Sequence, residues 1–320
     1  MTAREKILAA FSQQGTTEIA AVTSYESIFV RDHWFDLTEV LWWYRGSGIV
    51  EQEIAWMREV SEKTGLEWLG QAPCFSRAER ERHRYEGRQG NVWRVDPLTG
   101  KETELLVPMP SGANTVCAAD THSDLEKLPS SKEQIDAAIP RRESINPEAF
   151  LQEGRNEVTQ AAQRTLGLFT YGADTSPLTR LYSWLGYEGM MILIGSAPEL
   201  ARHAARRYLE KAKTYLRELA ALGADAVHFE ESKKNFVIDI DDVVAVIEGR
   251  CTVFGNLDSI GILQNGSDDD LRAEIERQLK AGWRNRGRFI MSTGSPITPA
   301  TPVERVRLYT DTVRAMGRTS

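Results

Sequence analysis

The chain has 320 residues, of which 39 are lysine or arginine and 46 aspartate or glutamate, giving a formal net charge of −7. This negative charge disfavours nucleic acid and anionic membranes as partners, and no stretch approaches the roughly 20 apolar residues of a membrane helix. The three cysteines, Cys74, Cys117 and Cys251, include no CxxC pair, which argues against a disulfide framework and a thiolate zinc cage. We therefore expect a cytoplasmic globular protein.

The N-terminal part of the sequence begins regularly and then becomes irregular. An amphipathic helix is predicted over residues 1–11, MTAREKILAAF, and a strand over 17–25. Residues 31–150 have the pattern of an irregular extension, with a charged, solvated segment at 76–90 and a β-hairpin at 91–108. Aromatic and basic side chains gather at its start, namely Arg31, His33, Trp34, Trp42 and Trp43.

Strands and helices alternate over residues 165–320. The predicted strands are 166–172, 223–231, 251–259 and 288–294. The predicted helices are 177–194, 196–223, 239–249, 267–282 and 301–317. Such alternation indicates an α/β fold with parallel strands, and the near-continuous apolar strands suit a sheet buried on both faces. We expect a single domain over residues 1–320.

Two of these helices carry clear end signals. Ser267 and Asp270 make a capping-box pair, and Gly282 is predicted to end the helix that they begin. Thr301 is the predicted N-cap of the last helix, with Pro302 at its first helical position.

Polar residues stand at the carboxyl ends of three successive predicted strands. They are His228, Glu230 and Glu231, then Asn256 and Asp258, then Ser292 and Ser295. In parallel α/β sheets, ligands bind at this edge. Imidazole, carboxylate, amide and hydroxyl groups there could hold a metal, bind a polar substrate or move protons.

Structural roles are open alternatives for several of these residues. Asp258 can cap the helix that follows it, and His228 can be an interior histidine with satisfied hydrogen bonds. Cys251 stands at the opposite end of its strand, where a core position is expected. The Trp42–Trp43 pair is more typical of packing than of substrate stacking.

The segments FGNLDSIGIL, LRAEIERQLKAG and RFIMSTGSPITPATPVERVRLYTDTVRAMG resemble the C-terminal part of the uroporphyrinogen decarboxylase (URO-D) superfamily. MTAREKILAAF and PLTRLYSWLGYEGMMILIGSAPELARH are similar to other segments of that superfamily. It includes decarboxylases of heme synthesis and corrinoid-dependent methyltransferases. The resemblance is good over residues 165–320 and the first twenty, and it implies a distorted TIM barrel, (β/α)8.

The sequence departs from the decarboxylases after the first strand. They carry an arginine-rich loop of the RQAGRY type there, and its guanidinium groups hold the carboxylates of the substrate. The corresponding segment here is TSYESIFVRDHW, in which Arg31 is the only arginine. This departure argues against porphyrinogen decarboxylation.

The sequence also departs from the zinc-binding methyltransferases. Their site uses a His-x-Cys pair on a middle strand and a cysteine after the last strand. This sequence has no His-x-Cys pair, and Ser295 stands near the place of the last cysteine. His228, Glu230 and Glu231 could instead form a zinc site with nitrogen and oxygen ligands.

The number of strands is a third departure. We count about six strand candidates, whereas a full barrel has eight. Either residues 50–120 supply the others, or the barrel is shortened by one strand–helix pair. An incomplete barrel would expose sheet edges that a partner chain, such as a second copy in a homodimer, could cover.

The leading functional hypothesis is a methyltransferase that moves a methyl group between a small methylated substrate and a corrinoid presented by a partner protein. His228, Glu230 and Asp258 would be catalytic. The substrate-binding residues would be Asn256, Ser292, Ser295, Arg31, His33, Trp42 and Trp43. One alternative is decarboxylation of a uroporphyrinogen-type tetrapyrrole, which in this superfamily needs no metal or cofactor. The other is a non-catalytic, degenerate barrel that serves as a binding or assembly subunit.

Overall fold

The computed structural model describes residues 1–70, 74–109, 128–139, 151–171, 177–208, 226–228, 231, 238–249 and 251–318. The chain divides into two compact units. The first comprises Met1–Ser111, Glu148–Gly172 and Asp225–Ser320, and the second Gly112–Pro147 and Ala173–Ala224. Among the described residues, no helix is long and apolar enough to cross a membrane.

The helices of the first unit flank its strands. They are α1 (Ala3–Phe11), α2 (Glu26–Asp32), α3 (Trp34–Leu37), α4 (Val50–Thr64), α5 (Arg77–Arg82), α7 (Glu157–Ala161), α10 (Ile240–Ile247), α11 (Asp268–Arg284) and α12 (Val303–Met316). Short 3₁₀ and π turns lie at Trp42–Tyr44, Ala162–Leu166 and Ser259–Gln264. The second unit contains α6 (Lys132–Ala138), α8 (Pro177–Ser196) and a helix over 198–208, named α9.

The strands of the described residues form three short sheets. They are β1 (Trp68–Gly70), β2 (Arg84–Arg88), β3 (Asn91–Asp96), β4 (Lys101–Leu105), β5 (Phe169–Tyr171), β6 (Ala226–Val227), β7 (Thr252–Phe254) and β8 (Phe289–Ile290). β1 pairs in parallel with β5, and β6, β7 and β8 form a parallel sheet in that order. The α/β prediction is confirmed, but these described strands do not form a closed barrel.

The segment 20–22 connects the two parallel sheets. The N–H of Val22 donates to the carbonyl of Met291 at 2.9 Å, and the N–H of Met291 donates to Ala20 at 2.9 Å. On the other side, the N–H of Glu67 donates to the carbonyl of Ala21 at 3.2 Å. Hydrogen bonds therefore link β5, β1, segment 20–22, β8, β7 and β6 in this spatial order.

The inner side of this series carries a small apolar cluster that α1 covers. Ala20, Val22, Phe254 and Ile290 pack there with Ile7 and Ala10 of α1, and Phe11, Trp68 and Phe169 pack against them. A capping box begins α1, with Thr2 as the N-cap and Glu5 as its partner. The larger core lies against the flanking helices and includes Phe29, Trp34, Met57 and Tyr309.

Two predicted helix ends are wrong in detail. The capping box of Ser267 and Asp270 is confirmed, but α11 continues past Gly282 to Arg284. Gly282 is a packing residue, because an added Cβ would lie 2.5 Å from Cγ of Phe289. The N-cap of α12 is Pro302 rather than Thr301, whose hydroxyl is hydrogen-bonded to Gln264.

The region predicted as irregular contains an antiparallel sheet of three strands. The hairpin over 91–108 is confirmed as β3 and β4. The segment 76–90 supplies α5 and β2, which pairs with β3, and nearly all of its residues are exposed or partly exposed, as its charges predict. On the exposed face of this sheet, Arg88 pairs with Glu86 and Glu102. Such a charged strand lacks the apolar alternation by which a strand is predicted.

The second unit has its own helical core. Ile135 of α6 and Ile139, which directly follows α6, pack with Leu181, Leu193 and Ala204. The predicted helix over 177–194 corresponds to α8, which Gly186 interrupts with a φ of 72°. The predicted helix over 196–223 is confirmed as far as 208, and the rest of it lies outside the described residues.

Candidate functional site

The alternation of side chains along the parallel strands places polar groups above the inner apolar cluster. Successive residues of a strand point to opposite faces, so the residue two positions further along points the same way. Val22 is therefore followed by Ser24, Trp68 by Gly70, and Ile290 by Ser292. Ser24, Gly70 and Ser292 lie at the carboxyl ends of their strands, where α/β proteins bind ligands.

Ser24 joins two strand ends at this edge. Its Oγ lies 2.9 Å from Nε2 of His228 and donates to the carbonyl oxygen of Thr293 at 2.5 Å. Nε2 of His228 also lies 3.1 Å from the same carbonyl oxygen. A carbonyl can only accept, so Nε2 carries a hydrogen and acts as the donor in this arrangement. His228 is exposed, whereas Ser24 is buried.

A buried carboxyl group stands at the end of the strand predicted over 223–231. Glu231 is only 2% exposed, and its Oε2 accepts a hydrogen bond of 2.6 Å from the hydroxyl of Ser295. Both residues belong to the predicted set. Ser292 also belongs to the edge, since its Oγ donates to the carbonyl of Thr293 at 3.1 Å.

A second buried carboxyl, that of Glu26, lies on the opposite side of Ser24. Oε1 of Glu26 accepts the N–H of Gly70 at 2.7 Å, and the hydroxyl of Tyr171 donates to Oε2. Glu26 is 1% exposed. Burial raises the pKa of this carboxyl above its usual value, although its hydrogen bonds from Tyr171 and Gly70 and the charge of Arg45 oppose the rise.

Gly70 leaves the space that this carboxyl occupies. A Cβ at this position would lie 3.0 Å from Oε1 of Glu26 and 3.4 Å from Cζ of Tyr171. The absence of a side chain at the end of β1 therefore allows Glu26 to reach the end of β5.

Aromatic rings line the strands below these groups. The ring of Trp68 lies 4.5 Å from that of Tyr171 and 5.4 Å from that of Phe254, and Phe254 meets His228 edge to face at 5.7 Å. The indole N–H of Trp68 donates to the carbonyl of Thr23 at 3.0 Å, which fixes the ring. This aromatic row connects the Glu26–Tyr171 pair with His228.

Arg45 lies behind Glu26 among aromatic rings and a third buried carboxyl. Its guanidinium donates to the carbonyl of Ser27 at 3.0 Å and lies 5.9 Å from the ring centre of Trp34. Burial lowers the pKa of Arg45, against the opposing charges of Glu26 and Glu53. Glu53 accepts from Gly48 at 3.0 Å and from Trp56 at 2.7 Å, and burial raises its pKa.

The remaining predicted residues on the β7 end have structural partners. The amide nitrogen of Asn256 donates to the carbonyl of Ile238 at 3.1 Å. Oδ1 of Asp258 accepts the N–H groups of Ile260 and Gly261, both at 2.9 Å, and so caps the turn Ser259–Gln264. Gly255 lets the chain approach Gln278, since a Cβ would lie 2.6 Å from the Gln278 Oε1.

The predicted residues of α2 and the tryptophan segment lie elsewhere. Arg31 donates two hydrogen bonds to Oδ1 of Asp32, at 3.0 and 2.8 Å. His33 lines a separate cavity of about 670 Å³ with Lys63 and Arg307. Trp42 and Trp43 contact each other edge to face with ring centres 5.5 Å apart. The described contacts do not bring these four residues together with His228.

The metal prediction has only part of its ligand set among the described residues. Glu230 lies outside them, as does Cys117. Within the described part of the chain, no group of three His, Cys, Asp or Glu side chains could hold a metal ion. Of the predicted ligands, His228 and Glu231 are described, and Nε2 of His228 and Oε2 of Glu231 take part in hydrogen bonds.

The sequence analysis missed Ser24, Glu26, Trp68 and Tyr171. Ser24 and Glu26 belong to TSYES, a segment that was interpreted only for the arginines it lacks. The position of this segment could have indicated the site, because polar residues that directly follow the strand predicted over 17–25 lie at the ligand-binding edge. Tyr171 ends the strand predicted over 166–172, but Trp68 followed no predicted strand end.

Comparison with known proteins supports the resemblance over part of the chain. Residues 209–316 match the family model of uroporphyrinogen decarboxylase (URO-D), which confirms the predicted resemblance over this part of the chain. Among solved structures, the chain is similar to a methyltransferase from Methanosarcina mazei, with 16% identity, 98% of each chain covered and a TM-score of 0.47. No curated protein matches the chain.

Proposed function

We propose, from the URO-D superfamily domain that residues 209–316 carry, that the protein is a methyltransferase acting between a small methylated substrate and a corrinoid. A partner protein would present the corrinoid. The observation that supports this proposal is the chemistry of the carboxyl edge. Ser24, His228 and Tyr171 offer hydrogen-bonding groups beside an aromatic row, which suits a small and largely apolar substrate.

A TIM-barrel-like architecture is part of the proposal. The spatial series β5, β1, segment 20–22, β8, β7 and β6 is parallel at each pairing of named strands, as a (β/α)8 barrel requires. Strands from residues outside the described ranges would have to close it. The shortened barrel, lacking one strand–helix pair, remains the alternative.

Porphyrinogen decarboxylation is the second candidate, which the name of the matching family favours. Binding several carboxylates needs arginine or lysine side chains at the site. The described residues of the carboxyl edge include Ser24, Glu26, Tyr171, His228, Glu231, Asn256, Asp258, Ser292, Thr293 and Ser295, and none of these is an arginine or a lysine. Arg31 is paired with Asp32 instead, so the observed chemistry favours methyl transfer.

We assign His228 and Ser24 the role of orienting the substrate. Nε2–H of His228 is a donor at the exposed end of the aromatic row, and Ser24 fixes its direction. The buried carboxyl of Glu231 is held by the hydroxyl of Ser295 on the same edge. No step of this proposal involves a metal.

Anaerobic incubation with free cob(I)alamin and a panel of methylated donors tests the function. We expect at least one donor to convert the cob(I)alamin spectrum to that of methylcobalamin. The variant His228→Ala should lower the rate by about 100-fold, as expected for loss of a positioned donor. Ser12→Ala is the control, because the hydroxyl that it removes donates to the carbonyl of Ala9.

The other functions give different results in the same preparation. Release of carbon dioxide from a porphyrinogen, without methylation of cob(I)alamin, would support decarboxylation. If the protein catalyses neither reaction, the remaining function is that of a non-catalytic subunit. Co-elution with a corrinoid protein on size-exclusion chromatography would support that function.

A further inference from the structure

We propose that Glu26 and Tyr171 form a proton relay that protonates the leaving group of the methylated substrate. Glu26 would store the proton, and the hydroxyl of Tyr171 would deliver it. This inference rests on the proposed methyl transfer and narrows its substrate class. The leaving atom would be one that departs as an anion, as the oxygen of a methyl ether does, rather than a neutral amine.

The geometry separates the two tasks. Glu26 is 1% exposed and has both carboxyl oxygens in hydrogen bonds, one with Gly70 and one with Tyr171. It therefore reaches a substrate only through Tyr171. Tyr171 is half-buried, ends β5 and stacks on Trp68, which joins it to the aromatic row below His228.

One short loop connects this pair with the substrate-orienting residues. Ser24 contacts His228 and Thr293 on one side, and Glu26 contacts Gly70 and Tyr171 on the other. Between them, Tyr25 has a φ of 52°, a left-handed conformation that is uncommon for a residue with a side chain. Tyr25 thus stands between Ser24, whose side chain contacts the end of β8, and Glu26, whose side chain contacts the end of β1.

The surrounding charges are compatible with a protonated Glu26. Burial raises its pKa most strongly, and Arg45 is the one cation among the causes that oppose the rise. Arg45 is shared, because Glu53 and Arg31 also act on it. Tyr171 itself stays protonated, since burial and Glu26 raise the pKa of its hydroxyl, with a smaller contribution from Tyr25.

The chemical step balances with a cob(I)alamin nucleophile. The bond between the methyl carbon and the ether oxygen breaks, and its electron pair stays on the oxygen. The cob(I) centre supplies the pair for the new bond to the methyl carbon. The arrangement in which Tyr171 donates to Oε2 is that of the ionised carboxylate; when Glu26 is protonated, Oε2–H donates to the hydroxyl oxygen of Tyr171, whose own hydrogen is then free for the substrate. The leaving oxygen takes the proton of Tyr171, Tyr171 takes that of Glu26, and the resulting carboxylate is reprotonated from water. A quaternary ammonium donor leaves as a neutral amine and needs no proton.

Two variants and two donor classes test the relay. Glu26→Gln matches the protonated carboxyl in shape but cannot release a proton, and Tyr171→Phe removes the hydroxyl. With a methoxylated aromatic donor and free cob(I)alamin, we expect each to lower the rate by about 100-fold or more. Glu53→Gln is the matched control, a buried glutamate near Arg45 that does not touch Tyr171, and it should keep the rate.

The donor comparison has outcomes that overturn the relay. A Glu26→Gln protein that keeps its rate with methyl ethers would do so. Equal activity losses with a quaternary ammonium donor, or a wild-type protein that accepts only such donors, would also overturn it.

A readout without activity separates this inference from the proposed function. Because the folded protein raises the pKa of Glu26, the associated stability is present below about pH 4.5 and is lost as the pH rises through the folded value. The urea midpoint of the wild type should therefore fall relative to that of Glu26→Gln between about pH 4 and pH 8. Parallel pH curves would overturn the stored proton, whereas inactivity with every donor would overturn the methyltransferase.

Discussion

The hydroxyl of Ser24 lies 2.9 Å from Nε2 of His228, although 204 residues separate them in the chain. The contact exists because the strands that they follow are both hydrogen-bonded into one parallel series, so their carboxyl ends face the same edge. Ser24 donates to the carbonyl of Thr293, which leaves its lone pairs for the imidazole N–H. The orientation of His228 thus depends on Ser24, which follows segment 20–22.

Replacing Ser24 by alanine should release His228 without unfolding the protein. The change removes one hydroxyl from a buried position, where the loss of a typical hydrogen bond costs about 1 kcal/mol. We expect a fall of about 10-fold in the rate of cob(I)alamin methylation, since Nε2 keeps Thr293 as an acceptor. Single-turnover spectra and urea unfolding measure the two effects. An unchanged rate in a folded variant would contradict the orienting role.

Replacing Gly70 by alanine should displace the Glu26 carboxyl. The new Cβ would lie 3.0 Å from Oε1 and 3.4 Å from the ring of Tyr171, so the pair must shift by a few tenths of an ångström. We expect a rate loss of about 10-fold or more, because misplacement of a proton donor weakens its transfer. Gly87→Ala in β2 is the control, since no atom lies within 4 Å of its added Cβ. Equal effects in both variants would argue against a specific role.

The parallel part of the fold could be predicted because its strands are apolar and its helices have explicit signals. Ser267 and Asp270 form the predicted capping box, and α1 begins and ends within the predicted N-terminal helix. The end of α11 could not be predicted, because Gly282 has the residue type of a helix stop. Its lack of a side chain serves contact with Phe289 instead, which depends on tertiary structure.

Half of the candidate site could be predicted from strand ends alone. His228, Ser292 and Ser295 follow buried strands and lie at the expected edge, where Glu231 joins Ser295. The contact of Glu26 with Tyr171 could not be found this way, because the carboxyl reaches β5 only through the space left by Gly70. A single sequence does not reveal such a gap in a neighbouring strand.

Two substitutions of Asp258 distinguish its capping of the turn Ser259–Gln264 from its predicted catalytic role. Its Oδ1 accepts two backbone N–H groups, and an asparagine can keep both bonds, whereas an alanine cannot. If Asp258 only caps, Asp258→Asn should keep activity and stability, and Asp258→Ala should lose about 0.5–2 kcal/mol of unfolding free energy. Loss of turnover in a stable Asp258→Asn protein would instead support the catalytic prediction. Urea unfolding and cob(I)alamin methylation distinguish the two results.

Breaking the buried ion pair of Lys6 and Glu67 should strongly destabilise the first unit. Nζ of Lys6 lies 2.6 Å from Oε1 of Glu67, the two residues are 4% and 6% exposed, and Oε2 of Glu67 accepts the N–H of Ala21 at 2.7 Å. The pair therefore ties α1 to the first strand segment and to the residue before β1.

Lys6→Met keeps the apolar stem but leaves Glu67 buried without its nearest cation. Removing one partner of a buried pair typically costs about 3–5 kcal/mol, because the other charge remains desolvated. We expect a loss of unfolding free energy in that range, measured by urea denaturation, and a smaller loss when Glu67→Gln is combined with Lys6→Met. Lys280→Met is the control, since Lys280 pairs with Glu276 at 2.6 Å on an exposed helix face. Exposed pairs contribute about 0–1 kcal/mol, so we expect Lys280→Met to lose little unfolding free energy. Equal losses in the two lysine variants would contradict the prediction that burial makes the loss of Lys6 costly.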